Sequence, residues 1–175
     1  MMAEATGKLT GRPGVAFVTR GPGATNAASG VHVAKQDSTP MILFVGQIAR
    51  GHRDREAFQE VDYRAVFGPL AKWAAEVDQV ERLPEYISRA FHVAMSGRPG
   101  PVVLALPEDM LSSFADVADI RPPTPAVPGV TEAQVVAVAA ALRSAERPLV
   151  VVGGPVWSAA AAEALEAFAE GWGLP

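Results

Sequence analysis

The chain has 175 residues, a formal net charge of −4, 49% hydrophobic residues and 19% charged residues. That length suits one domain, or one domain plus part of a second, and that composition excludes wholesale disorder. Fifteen basic against nineteen acidic residues exclude a basic footprint for nucleic acid, and the lack of any cysteine excludes a disulfide framework, a thiol nucleophile and a cysteine-ligated metal.

The opening Met1–Lys8 lacks the basic start and apolar core of a signal peptide. No apolar run approaches the ~20 residues needed to span a bilayer. These features predict a soluble, cytoplasmic protein with no membrane or nucleic-acid partner. Val15–Thr19 is a short apolar run closed by Arg20-Gly21-Pro22-Gly23 and reads as a buried strand. Ala24 to Lys35 follows as a helix, with Thr25 or Asn26 available as its cap. Met41–Gly46 is a second buried strand, so the strand–helix–strand order predicts a parallel pair.

Gln47 to Tyr63 is polar and charged and reads as a long loop, a length more often functional than idle. Ala71–Val77 has the pattern of a short strand. Leu83–Met95 places Leu83, Ile87, Ala90, Phe91 and Ala94 at helical spacing, which predicts an amphipathic helix. A Gly97–Pro101 turn leads into a third buried strand, Val102–Leu106. Arg121 to Gly129 holds four prolines in nine residues and reads as an extended linker. Beyond it the spacing predicts a helix from Thr131 to about Ser144, a strand over Leu149–Val152 ending in Gly153-Gly154-Pro155, and an Ala-rich helix over Ser158–Trp172.

The sharpest motif is Gly21-Pro22-Gly23-Ala24-Thr25-Asn26, between a strand and a helix. In open α/β sheets ligands sit beyond the carboxyl ends of the strands, and glycines there let a ligand approach the backbone. Asn26 stands where a dinucleotide fingerprint needs its third glycine, and no Gly-Lys-Ser/Thr follows to make a phosphate loop. A tight strand–helix turn would use the same residues. Phe58 and Gln59 in the polar loop combine an aromatic ring with an amide, a pairing suited to a pocket wall or to a loop with Phe58 buried as its anchor. His32, His52 and His92 have no metal-ligand spacing. Glu56, Glu60 and Asp62 beside Arg50, Arg53 and Arg55 read as a solvated charge cluster.

Taken in order, Gly-Pro-Gly-Ala-Thr-Asn (21–26), Gln-Asp-Ser-Thr-Pro (36–40), Val-Gly-Gln (45–47), Ala-Phe-Gln-Glu-Val-Asp (57–62) and Gly-Arg-Pro-Gly-Pro-Val (97–102) resemble the pyrimidine-binding domain of thiamine-diphosphate enzymes of the acetolactate synthase type. Thr10–Val15 joins the resemblance, and Arg147–Gly154 is similar to the start of the family's central domain.

The resemblance implies a three-layer α/β/α fold with a parallel sheet, truncated at both ends. Residues 1–120 would be a pyrimidine-binding domain lacking its first strand, 121–130 a linker, and 131–175 the opening βα segment of a central domain. It implies thiamine diphosphate and Mg²⁺ in the complete enzyme, a 2-oxo acid substrate, two-carbon carboligation, and a homodimer or larger oligomer in which two subunits build each site. FAD is used by some relatives. Pro22, Gly23, Asn26 and Gln59 would lie near the aminopyrimidine, and Phe58 with Gln59 would face the substrate. The family's catalytic glutamate would fall upstream of Met1, and Glu4 stands at the wrong point to replace it. No Gly-Asp-Gly diphosphate motif occurs. The chain alone is therefore expected to be inactive, with no metal ligand and no bound cofactor. A non-catalytic interaction or regulatory module that keeps the fold, and a generic nucleotide-binding α/β domain, are the alternative expectations.

Overall fold

Two uninterrupted apolar runs organise the sheet. In the computed structural model, which describes residues 1–126, 128–154 and 157–175, Met41–Gln47 (β2) and Pro101–Pro107 (β4) pair in parallel, in register from Met41–Pro101 to Gln47–Pro107. Every residue of β4 is buried, and in β2 all but Gly46. Successive side chains on a strand point to opposite faces, so burial this continuous requires cover on both sides. Gly14–Val18 (β1) pairs with the free edge of β2 and Trp73–Glu76 (β3) with that of β4. The result is a four-stranded, all-parallel sheet in the order β1-β2-β4-β3.

The cover comes from short-range helices. On one face Met41, Leu43, Val45, Val103 and Ala105 pack with Ala24, Val31 and Ala34 of Pro22–Gln36 (α2) and with Tyr63 and Phe67 of Tyr63–Phe67 (α3). Ala3 of Met2–Thr10 (α1) packs against the same cluster. On the other face Ile42, Phe44, Val102, Leu104 and Leu106 pack with Ala90 and Ala94 of Leu83–Met95 (α4) and with Met110 of Glu108–Leu111 (α5). This is the expected α/β/α layering.

The structure sharpens several expected elements. α4 has the expected bounds. α2 starts at Pro22, two residues early, because a proline in the first helical turn needs no N–H partner. Neither Thr25 nor Asn26 is its cap: Gly21 holds that position without a side-chain bond, and Thr25 Oγ1 donates back to the Pro22 carbonyl at 3.1 Å. α1 was not expected. It sits so close to β1 that a Cβ on Gly14 would lie 1.8 Å from the Ala3 carbonyl oxygen. The Gly97–Pro101 turn brings Arg98 to the end of α2, where it donates to Ser38 Oγ at 2.6 Å and to the Gln36 carbonyl at 3.1 Å.

The chain divides into two compact units, Met1–Ala126 and Val127–Pro175. In the second, Glu132–Ser144 (α6) starts with a reciprocal capping box between Thr131 and Gln134. Ala159–Trp172 (α7) starts at Ser158, whose Oγ accepts from Ala161 N–H at 3.1 Å. The strand expected over Leu149–Val152 is not formed, and Leu149 and Val151 are 70% and 85% exposed. A strand needs a neighbour for its backbone hydrogen bonds, and none lies among the described residues of this unit. Val127 of the expected linker and Pro155 of the expected Gly-Gly-Pro ending lie outside the described residues. Among the described residues no helix is long and apolar enough to cross a membrane.

Leu104 is fully buried in the central strand, whereas Leu149 is exposed. Leu104→Ala is expected to cost about 2–5 kcal/mol in urea unfolding, and Leu149→Ala less than about 0.5 kcal/mol. Equal midpoints for the two variants would contradict the burial pattern.

Candidate functional site

Because the four strands are parallel, their carboxyl ends gather at one edge of the sheet. The loops that leave that edge are the default place for a ligand in an open α/β sheet. β1 ends into Arg20 and Gly21, β2 into the loop that begins at Ile48, β3 into Val77 and Asp78, and β4 into α5. Charge pairs tie these ends together. Arg20 Nη1 meets Glu108 Oε2 at 2.9 Å, joining the ends of β1 and β4. Arg50 donates from Nε to Asp109 Oδ2 at 2.8 Å and from its backbone N–H to Oδ1 at 3.0 Å. Arg50 also donates to the Asp78 carbonyl, and Arg53 pairs with Glu76. Partial burial works to raise the Asp109 carboxyl, but the Arg50 bonds and charge outweigh it and hold the group below its ordinary range. Of the expected solvated charge cluster, Arg50 and Arg53 thus pair with carboxylates outside it, while Arg55 and Glu56 are exposed.

The loop between β2 and α3 is strained and internally braced. Asp54, Glu56 and Gln59 all have left-handed φ, of 61°, 52° and 66°. Such residues cost of order 1–3 kcal/mol each and persist only where surroundings hold them. The Glu60 carboxylate supplies much of the hold by accepting from Asp54 N–H at 2.8 Å and from Ala57 N–H at 3.0 Å. Gln47, buried at the end of β2, donates to the Val61 carbonyl at 2.9 Å. Asp62 caps α3 through Arg64 N–H at 3.0 Å and Ala65 N–H at 3.1 Å.

The expected site residues fall into two groups at this edge. Pro22, Gly23 and Asn26 form the first turn of α2, with Pro22 and Asn26 exposed. Gly23 must be small, since a Cβ there would lie 2.7 Å from Thr19 Cγ2. Phe58 is 79% exposed, so it is not the buried anchor of its loop. Gln59 is half-buried against the turn, and a Cβ on Gly21 would lie 2.8 Å from Gln59 Cβ. The structure therefore brings Gln59 to the turn. A polar cavity of about 390 Å³ lies alongside, lined by Gln47, Arg53, Glu60, Arg64, Glu76 and Asp78 among others. It includes none of the expected site residues. Among the described residues no group of three or more His, Asp or Glu could hold a metal ion.

Sequence reading missed Tyr63. Its hydroxyl accepts from Gly21 N–H at 2.7 Å. Nothing local marks it, because the bond spans 42 positions. Burial pushes the Tyr63 phenol above its ordinary range, against the lowering effects of the Gly21 N–H and the Arg20 charge. A raised folded value stabilises the fold below the ordinary phenol value of about 10, and the contribution is lost as pH rises through the folded value. Wild-type stability above pH ~10 is thus expected to fall more steeply than that of Tyr63→Phe in denaturant titrations at stepped pH. Parallel slopes would contradict the assignment.

Residues 1–66 match the family profile described as thiamine pyrophosphate enzyme, N-terminal TPP binding domain. The chain is 38% identical to the acetolactate synthase large subunit of Buchnera aphidicola subsp. Acyrthosiphon pisum, over 97% of this chain and 31% of that protein. It is 37% identical to the acetolactate synthase large subunit of Corynebacterium glutamicum, over 96% of this chain and 28% of the relative. Against the acetolactate synthase isozyme 3 large subunit of Escherichia coli the identity is 36%, over 99% and 31%. The chain spans less than a third of the length of these curated relatives. The profile match takes in both the Gly21–Asn26 turn and the Phe58–Gln59 loop that the fold brings to one edge. The chain is similar over nearly its whole length to part of acetolactate synthase large subunits, and its first 66 residues match the N-terminal domain family of thiamine pyrophosphate enzymes.

Proposed function

We propose that this chain supplies the pyrimidine side of a thiamine diphosphate site in an acetolactate synthase-like protein. The observation that carries the reading is the meeting of Gly21 with Gln59 at the carboxyl edge of the sheet, beside exposed Asn26 and Phe58. The residues fit half of such a site. Asn26 offers an amide that both donates and accepts, Gly23 keeps the backbone approachable, and Phe58 offers an apolar ring. In this reading Pro22, Gly23, Asn26 and Gln59 bind and orient the aminopyrimidine, while Phe58 and Gln59 face the substrate and shield it from water.

When bound, thiamine diphosphate supplies the electron sink that 2-oxo acid decarboxylation and two-carbon transfer require. In this reading the 175 residues alone are inactive and bind the cofactor weakly or not at all. The cysteine-free composition supports a cytoplasmic location.

Nuclear magnetic resonance of the 175-residue chain with millimolar thiamine tests the reading. Amide shifts are expected at Gly21, Gly23–Asn26, Phe58 and Gln59, and calorimetry with thiamine diphosphate and Mg²⁺ is expected to find no submicromolar affinity. Silence at these amides, with clear shifts on adding ATP or NAD, would replace the reading with a nucleotide-binding one.

Assembly belongs to the same proposal. Among the described residues no strand pairs with the outer edge of β1, and Phe17, stacked on Phe44 at 4.7 Å, is 73% exposed. Edges and apolar patches of this kind call for cover. Light scattering is expected to find a homodimer or larger, and a monomer at high concentration would contradict this.

A further inference from the structure

We propose that Tyr63 is a positioning residue that latches the Gly21–Asn26 turn to the Phe58–Gln59 loop, so that both segments share one geometry. The inference deepens the proposed function, since it rests on that reading for the ligand which the two segments would meet. Gly21 has φ 52° and ψ −111°, a backbone state open to glycine and costly for other residues. Its N–H precedes the first turn of α2 and finds its acceptor in the Tyr63 hydroxyl at 2.7 Å.

Tyr63 is itself held firmly. It is 3% exposed, its ring lies 6.3 Å from that of Phe67, and it opens a helix that Asp62 caps. Val61, two positions before Tyr63, is tied to Gln47 at the end of β2 through its carbonyl. Gln59 then closes the circuit from the loop side, pressed against Gly21 where only a hydrogen fits. A shift of the loop toward the turn would push Gln59 into Gly21, and a shift of Tyr63 would break its bond to Gly21, so the two segments constrain each other.

Amide hydrogen exchange on the full chain tests this. Tyr63→Phe keeps the ring and removes only the acceptor. Gly21 exchange is expected to speed up about tenfold, in keeping with one lost hydrogen bond, and Ala57 and Glu60 should follow. Amides of Ile42–Val45 and Val102–Leu106 should not change. A second variant, Gly21→Ala, inserts a methyl against Gln59 and should move the Phe58–Glu60 amide resonances with β4 undisturbed.

Unchanged Gly21 protection in Tyr63→Phe would overturn the latch, as would a loop indifferent to both variants. Equal acceleration throughout β2 and β4 would reduce Tyr63 to a packing residue and overturn it too. Coupled exchange without any response to thiamine would leave the latch standing and refute the cofactor reading instead. A thiamine response without coupled exchange would do the reverse.

Discussion

The parallel pairing of β2 with β4 is the constraint from which the rest follows. Seven residues on each strand are in register, and almost all are buried. A two-sided apolar ribbon cannot face water on either side, so both faces must carry helices. Parallel pairing also forbids a hairpin, so each strand must be reached by a crossover. The crossovers then leave from one edge and return at the other. Two segments 35 positions apart, Gly21 to Asn26 and Phe58 to Gln59, emerge at the same edge for this reason.

That convergence places soft elements on a hard support. The loop between β2 and α3 has few apolar residues and three strained φ angles, so its shape depends on the hydrogen bonds that brace it. Its order is borrowed from the sheet through Gln47 and from its own end through Glu60 and Asp62. The charge pairs of Arg20 with Glu108 and of Arg50 with Asp109 are partly exposed, and such pairs contribute little to overall stability. Their effect is on position, because each joins the ends of different strands.

Much of this was legible in the sequence. Met41–Gly46, Leu83–Met95 and Val102–Leu106 declare themselves through unbroken apolar runs or helical spacing, which are local signals. The ordered motifs from Gly21 to Val102 carried the resemblance to thiamine-diphosphate enzymes. The strand expected over Leu149–Val152 shows the limit of such signals. Its composition is as β-prone as that of β4, yet a strand exists only beside another strand. The same limit hid α1, whose place depends on contact with Gly14. It also hid Tyr63, an unremarkable aromatic at the end of a polar loop.

The sequence by itself determined the layered α/β class, the order of its main elements, and the two segments in which function is to be sought. These depend on periodicity, turn residues and composition, all of which act over a few neighbours. The tertiary structure alone decided that Gln59 abuts Gly21, that Phe58 faces outward, that Arg98 ties down the end of α2, and that Tyr63 joins turn to loop. Those facts depend on groups dozens of positions apart meeting at the two edges of the sheet where its strands begin and end. No local pattern encodes such meetings, because they exist only once the buried strands have paired.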